Sequence, residues 1–390
     1  MKSLSVFILS LLLFSCSSDN SASNETPGVL LDLSQFFSIN FSDLPNYSDQ
    51  YIPIYINKDN TPINNAITNQ GATLGRVLFY DTNLSTNNMV SCASCHKQEH
   101  AFGDTNGLSL GVNGETGRHS MRLINSRFSN EVNFFWDERA SSLEQQTTMP
   151  IQDHVEMGFS GENGDLGFSD LISKLESIEY YPELFNLAFG SNDISETRIQ
   201  NALAQFVRSI QSFDSKYDAG RLLVANDIEP FSNFSVLENQ GKNLFIQPAV
   251  FDGSGTRING GVGCAGCHQV PEFDIDPNSL NNGVIGSSNG IADLIVTRAP
   301  SLRDIVKQTG ESNGPFMHIG ISNDIITVIN HYNQINTAGN TNLDPRLLPN
   351  GNPQNLNMTQ QEKDAVIAFI RTLSGTNVYV DEKWSSPFIN

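Results

Sequence analysis

Basic residues are scarce in this 390-residue chain: 22 lysines and arginines stand against 42 aspartates and glutamates, a formal net charge of −20 at pH 7. A field of that sign repels a phosphate backbone and excludes nucleic acid as a partner, while it suits docking with a basic electron-transfer protein. Charged residues make up only 16% of the chain. Strand signals are few and Asn, Ser and Gly are plentiful, so long loops are expected. The apolar run over residues 4–14, behind Lys2, has eleven residues and is too short to span a bilayer. Cysteines are few as well, five in all, and four of them fall into two pairs, which leaves Cys16 without a disulfide partner.

The pairs are two copies of one pentapeptide, Cys92-Ala93-Ser94-Cys95-His96 and Cys264-Ala265-Gly266-Cys267-His268. Two thiols three positions apart can add to the two vinyl groups of one porphyrin, and the adjacent histidine then reaches the iron. Each copy therefore predicts one covalently bound haem c, with His96 and His268 as proximal iron ligands. A zinc site or a redox dithiol needs no histidine directly after the second cysteine, and here it occurs twice. Cys16 follows Leu13-Phe14-Ser15 at the end of the apolar run, the way a bacterial lipoprotein signal ends. The expectation is a signal peptide over residues 1–15, lipidation at Cys16, and a tether and N-terminal arm over residues 16–70. Ordinary cleavage is the alternative, and it too exports the protein. The protein is thus expected in the periplasm or cell envelope, anchored to a membrane as a lipoprotein, where haem c is attached.

Each motif is the centre of a longer repeat. Gly75-Arg76-Val77-Leu78-Phe79 precedes Cys92 by seventeen residues, and Gly241-Lys242-Asn243-Leu244-Phe245 precedes Cys264 by twenty-three. Closing helices follow: Ile199, Ala202, Leu203, Phe206, Val207 and Ile210 share one helical stripe, as do Val366, Phe369, Ile370 and Leu373. The pattern predicts a mostly α fold of two tandem cytochrome c-like domains, residues 71–230 and 231–390, each with one covalent haem c and joined by long loops. Residues 28–70 read as a surface-packing arm.

Over about residues 60–380 the chain resembles the bacterial diheme cytochrome c peroxidases and the MauG-type enzymes that share their fold. The resemblance rests on Leu74-Gly75-Arg76, Phe135-Trp136-Asp137, Arg139-Ala140, Ser142-Leu143-Glu144, Gln146, Pro150 and Val155-Glu156-Met157. In the second half it rests on Pro300-Ser301-Leu302-Arg303 and Pro315-Phe316-Met317-His318. It implies that the N-terminal haem is the peroxidatic one, with Gln146, Pro150 and Glu156 on its distal side, and that Trp136 relays electrons between the haems. Glu156 also has a physical case. Splitting a peroxide needs a group that moves a proton from one oxygen to the other, and a shielded carboxylate has its pKa raised toward that task. Glu138 stands where the family has glycine, which bears on the local turn.

Two departures define the subtype. Reductively activated members keep a histidine ligand sixteen residues after the first proximal histidine, and here that residue is Val112, which cannot bind iron. The first haem is therefore expected to be open to peroxide; His100, His119 and His154 are the substitutes a different loop path would offer. Fourteen residues after His318, where electron-storing members have an axial methionine, stands Tyr332. Ile325, Val328, Ile329 and Tyr332 make one apolar stripe, with Asp324, Thr327 and His331 opposite, so Tyr332 faces inward as the candidate second ligand. Met317 and His331 are the alternatives, and His318 reads as a hydrogen-bonding residue. His-Tyr ligation resembles the MauG type. Many relatives hold a bridging calcium ion. His119 and Asn313 replace an asparagine and a threonine of that site while Pro315 remains, so calcium is left open.

Three functions follow. The first is a peroxidase that reduces hydrogen peroxide with electrons from a small cytochrome c or cupredoxin, entering through the C-terminal haem. The second is a MauG-like oxidase that uses peroxide to oxidise or modify a partner protein. The third, a plain electron carrier, is disfavoured by Val112.

Overall fold

The glycine of each Gly-x-x-Leu-Phe repeat sits where two helices touch. The computed structural model describes residues 31–389, and within them the helices are α1 (Asn69–Tyr80), α2 (Cys92–Cys95), α3 (Leu143–Thr148), α4 (Phe168–Glu176), α5 (Tyr180–Phe189), α6 (Glu196–Ser209), α7 (Lys216–Arg221), α8 (Val236–Ile246), α9 (Ile325–Asn333) and α10 (Gln360–Arg371). In the first half α1 packs on α6, and in the second α8 packs on α10. A Cβ at Gly75 would overlap the carbonyl oxygen of Ala202, and one at Gly241 that of Ala365. Only glycine allows either crossing, which explains the repeat.

The predicted stripes are the buried faces. Ile199, Ala202, Leu203, Phe206, Val207 and Ile210 are buried, as are Val366, Phe369, Ile370 and Leu373. The helix starts are written in the sequence: Thr68 and Ser195 cap α1 and α6 through their hydroxyls, and Ser235 with Glu238 and Thr359 with Glu362 form capping boxes on α8 and α10. Strand content is slight. Three short antiparallel ribbons pair Leu110–Gly111 with Gly114–Glu115, Ala249–Phe251 with Arg257–Gly260, and His268–Gln269 with Asp274–Ile275. The remainder is loop with short 3₁₀ turns, so the regular structure is mostly α, as expected.

The arm is more than a surface strap. Phe37 is 2% exposed and Tyr47 fully buried, and the Tyr47 hydroxyl donates to the carbonyl of Lys383 at 2.6 Å. The C-terminal tail returns to the first half: Arg76 Nε donates to the Ser385 carbonyl at 2.7 Å and Tyr80 to that of Trp384 at 2.6 Å. Farther along the arm, Lys58 reaches Asp274 at 2.7 Å. Alternating apolar residues and prolines carried no signal of these long-range partners.

Two buried ion pairs fix the segments around the central cavities. Arg208 grips Glu144 of α3 with Nη1–Oε1 at 2.5 Å and Nη2–Oε2 at 3.1 Å. Arg303, fully buried, forks onto Asp218 of α7 with both contacts at 3.0 Å. Buried pairs of this kind add little net stability, but bidentate geometry holds register. Cys16 and the expected signal peptide lie outside the described residues. Among the described residues no helix is long and apolar enough to cross a membrane.

Candidate active site

The first Cys-x-x-Cys-His motif forms a single helical turn, α2, capped reciprocally by Ser91 and Ser94. That turn places Cys92, Cys95 and His96 on the wall of a 70 Å³ cavity, which shares His96, Gln146, Pro150 and Glu156 with a 640 Å³ cavity beside it. His96 Nδ1 lies 3.1 Å from the Phe102 carbonyl oxygen. As donor there, it fixes the tautomer and leaves Nε2 as a free metal ligand. Gln146 and Pro150 come from α3 and the turn after it, which the Glu144–Arg208 pair pins to α6.

Glu156 reaches the same cavity because two loops lie edge to edge. Val112 N–H donates to the Glu156 carbonyl at 3.0 Å and Asn113 N–H to that of Val155 at 3.1 Å. Gly111 permits this approach, since a Cβ there would overlap the Val155 carbonyl. Burial, then the neighbouring Asp153, push the Glu156 carboxyl up to about 7, against a smaller pull from Arg139. The Val112 side chain lies against Gly158, and of the histidines only His96 lines the smaller cavity. His154 is instead paired with Asp165 at 2.7 Å, and His100 lines none of these cavities.

The second motif begins in a 3₁₀ turn, Cys264–Gly266, and His268 opens a short strand. Cys264, Cys267 and His268 line a mostly apolar cavity of 230 Å³ that also receives Tyr332 and Met317. His268 Nδ1 is buried without a partner, and burial holds the ring at about 4, so it is neutral. The Asn282 side-chain amide donates to the Tyr332 hydroxyl at 3.1 Å and to Met317 Sδ at 3.5 Å. Tyr332 therefore faces inward, as its stripe predicts. Burial holds its free phenol well above the ordinary tyrosine range. His331 departs from the polar-side expectation: its Nε2 lies 2.8 Å from the Asn282 carbonyl oxygen, so it holds the loop that touches Tyr332. His318 Nε2 lies 2.9 Å from the Gly286 carbonyl oxygen.

Trp136 lines both large cavities. Its indole N–H donates to the His119 carbonyl at 2.7 Å, and its own carbonyl accepts from Thr297 at 3.0 Å and Arg298 at 3.1 Å. Glu138 keeps the glycine-like turn, with φ +57°, at about 1–2 kcal/mol of backbone strain, and its carboxylate accepts from Thr297. At the positions compared with a calcium site, His119 Nδ1 lies 3.0 Å from the Asn106 carbonyl oxygen and the Asn313 carbonyl accepts from Arg122 at 2.7 Å.

These donor sets fit haem c. Four unpaired thiols stand in two pairs, each beside a neutral histidine with a nitrogen to spare, and each opens on a cavity. Among the described residues no cluster of three or more His, Cys, Asp or Glu could hold a bare metal ion, which sets the motifs apart from zinc sites. Fold and site thus define a mostly helical protein with two haem-type cavities that share a wall containing Trp136.

The family model for di-haem cytochrome c peroxidase matches residues 69–222. The methylamine utilization protein MauG of Methylophilus methylotrophus is 30% identical over 323 residues, covering 80% of this chain and 85% of that protein. Cytochrome c551 peroxidase of Nitrosomonas europaea is 27% identical over 318 residues, covering 78% and 80%. Among solved structures, a MauG-like protein associated with microbial copper homeostasis aligns with a TM-score of 0.65 at 25% identity, covering 87% of this chain and 99% of that one. The diheme peroxidase BthA of Burkholderia thailandensis, at 18% identity and a TM-score of 0.59 over 88% and 93%, shares the fold. The chain belongs to the di-haem cytochrome c peroxidase and MauG family, and it is an oxidoreductase acting on peroxide.

Three residues of the site carried no sequence signal. Asn282, Arg122 and Arg298 belong to no periodic stripe and to none of the matched motifs. They meet the cavities only because loops far apart in sequence fold against each other.

Proposed function

We propose that the chain is a diheme c-type peroxidase, with the peroxidatic haem c in residues 71–230 and an electron-transfer haem c in residues 231–390. Cys92 and Cys95 would carry the first and Cys264 and Cys267 the second, ligated by His96 and by His268 with Tyr332. When bound, the haems supply an iron that takes up peroxide in the first half and a redox centre that passes electrons in the second. The chain's own residues supply the rest. Glu156 accepts a proton from one peroxide oxygen and delivers it to the other, Gln146 and Pro150 wall the distal space, and Trp136 bridges the cavities. The observation that carries this reading is Glu156: a carboxyl raised to about 7, in one cavity with Cys92, Cys95 and His96.

Tyr332 favours a second reading, a MauG-like oxidase that acts on a partner protein. An anionic phenolate favours oxidised iron, whereas a thioether favours the reduced state. Steady-state peroxide consumption with a reduced small cytochrome c or cupredoxin separates the two. Turnover at the median enzyme rate of about 10 s⁻¹ or faster supports the peroxidase; slow donor oxidation with accumulating oxidised protein supports the second reading. In either case Cys16 is the proposed lipid anchor, placing the enzyme in the periplasm or cell envelope.

A further inference from the structure

Two arginines stand in the wall between the large cavities, and each lines both. Arg122 is 8% exposed and Arg298 7%. Each has a buried Nε–H with no acceptor. Arg122 gives one bond, from Nη2 to the Asn313 carbonyl. Arg298 gives one, from Nη1 to the Asn133 carbonyl, and lies over the Phe134 ring. Among the described residues Arg122 has no ion-pair partner, and Arg298 has only Glu131, at 4.0 Å. Arg303 and Arg208, by contrast, are each bidentate on a carboxylate.

Removing a charge from water costs several kcal/mol unless a counter-charge returns it. Two cations with donors to spare, facing cavities in a chain of net charge −20, therefore call for anions that arrive with whatever fills the cavities. A haem brings such anions: its propionates are carboxylates, and a guanidinium fork matches a carboxylate. We propose that Arg122 and Arg298 form a carboxylate seat between the cavities, each receiving a haem propionate on the terminal guanidinium nitrogen that bonds no protein group, Nη1 of Arg122 and Nη2 of Arg298. The proposal rests on the reading that each cavity takes a haem. Both propionates would then stay ionised, and the two haem edges would share one positively charged wall next to Trp136.

The test is the pH dependence of the two midpoint potentials in holoprotein, comparing wild type with Arg122→Gln and Arg298→Gln. The titratable groups around the pair are His119, Asp304 and Tyr379 beside Arg122, and Glu131, Glu138 and Asp274 beside Arg298. His119 is held at about 4. Asp304, raised to about 6 by burial, and Glu156, raised to about 7 in the first-half cavity that both arginines line, are removed by making every comparison in an Asp304→Asn, Glu156→Gln background. Wild type is expected to give potentials nearly flat from about pH 6 to about pH 8. In each variant an unpaired buried propionate takes up a proton, so a slope approaching about 59 mV per pH unit appears, tenfold per unit. Slopes equal to wild type in both variants would overturn the proposal. Should a variant fail to load haem, resonance Raman of the wild-type propionate bending mode decides: a hydrogen-bonded position unmoved by pH supports the seat, and a mode that titrates refutes it. A haem count by pyridine haemochrome keeps the two readings apart, since fewer than two haems defeats the haem assignment itself.

Discussion

Glu156→Gln is expected to slow the reaction with hydrogen peroxide by about 10²- to 10⁴-fold, the usual contribution of a general acid–base group, while both haems stay bound. The loops that hold residue 156 do so through backbone bonds from Val112 and Asn113, so an amide of the same shape leaves the cavity intact and removes only proton transfer. The pH dependence supplies a second signature. The accepting form of Glu156 is the carboxylate, and with the carboxyl raised to about 7 that form is lost as pH falls through about 7. Wild type should therefore show an acid limb near that pH, and the Gln variant should lack it. The linkage runs the opposite way for stability. A carboxyl raised in the folded state contributes its stability below the unfolded value and loses it as pH rises through about 7, so Glu156→Gln should gain stability over wild type on the alkaline side. Stopped-flow mixing across pH, with thermal melts beside it, measures both. A change of rate under about threefold would remove Glu156 from the acid–base role.

Tyr332→Met is expected to raise the midpoint potential of the second-half haem by about 59 mV or more, a tenfold change in its one-electron equilibrium. The hydroxyl sits inside the cavity of Cys264, Cys267 and His268, held at 3.1 Å by Asn282, and a thioether there stabilises the reduced state. Peroxide binding in the first half should be untouched. His331→Ala should move the same potential by less, because His331 lies outside the cavity, edge-on to the Tyr332 ring at 5.1 Å and against the Asn282 carbonyl. Spectroelectrochemical titration reads both variants. A Tyr332→Phe protein with an unaltered second-half potential would exclude this ligation and leave Met317, which also faces Asn282, as the ligand to test.

Much of the fold was legible because it is repetitive and periodic. The Gly-x-x-Leu-Phe repeats became α1 and α8, the stripes through Phe206 and Phe369 became buried faces, and the inward turn of Tyr332 followed from spacing within one helix. What stayed hidden depends on distance along the chain. His331 looked polar because a helical wheel shows only its own helix, and its partner Asn282 is 49 positions away. The arm's contacts to Lys383 and Asp274, the return of the tail to α1, and the placement of Arg122 and Arg298 in one wall are likewise properties of loop packing, which no local pattern encodes. Glu138 shows the opposite limit: the departure from glycine was visible, yet only the structure shows that the turn survives with a positive φ.

The most direct test of the account is to mix the fully oxidised holoprotein with hydrogen peroxide, with no reductant present, and follow the haem optical and spin-resonance spectra. With Val112 turned toward Gly158 and no histidine but His96 in the smaller first-half cavity, the account predicts one haem with an open position before mixing and an immediate spectral change after it. Two six-coordinate low-spin haems, inert until one electron is added, would contradict it.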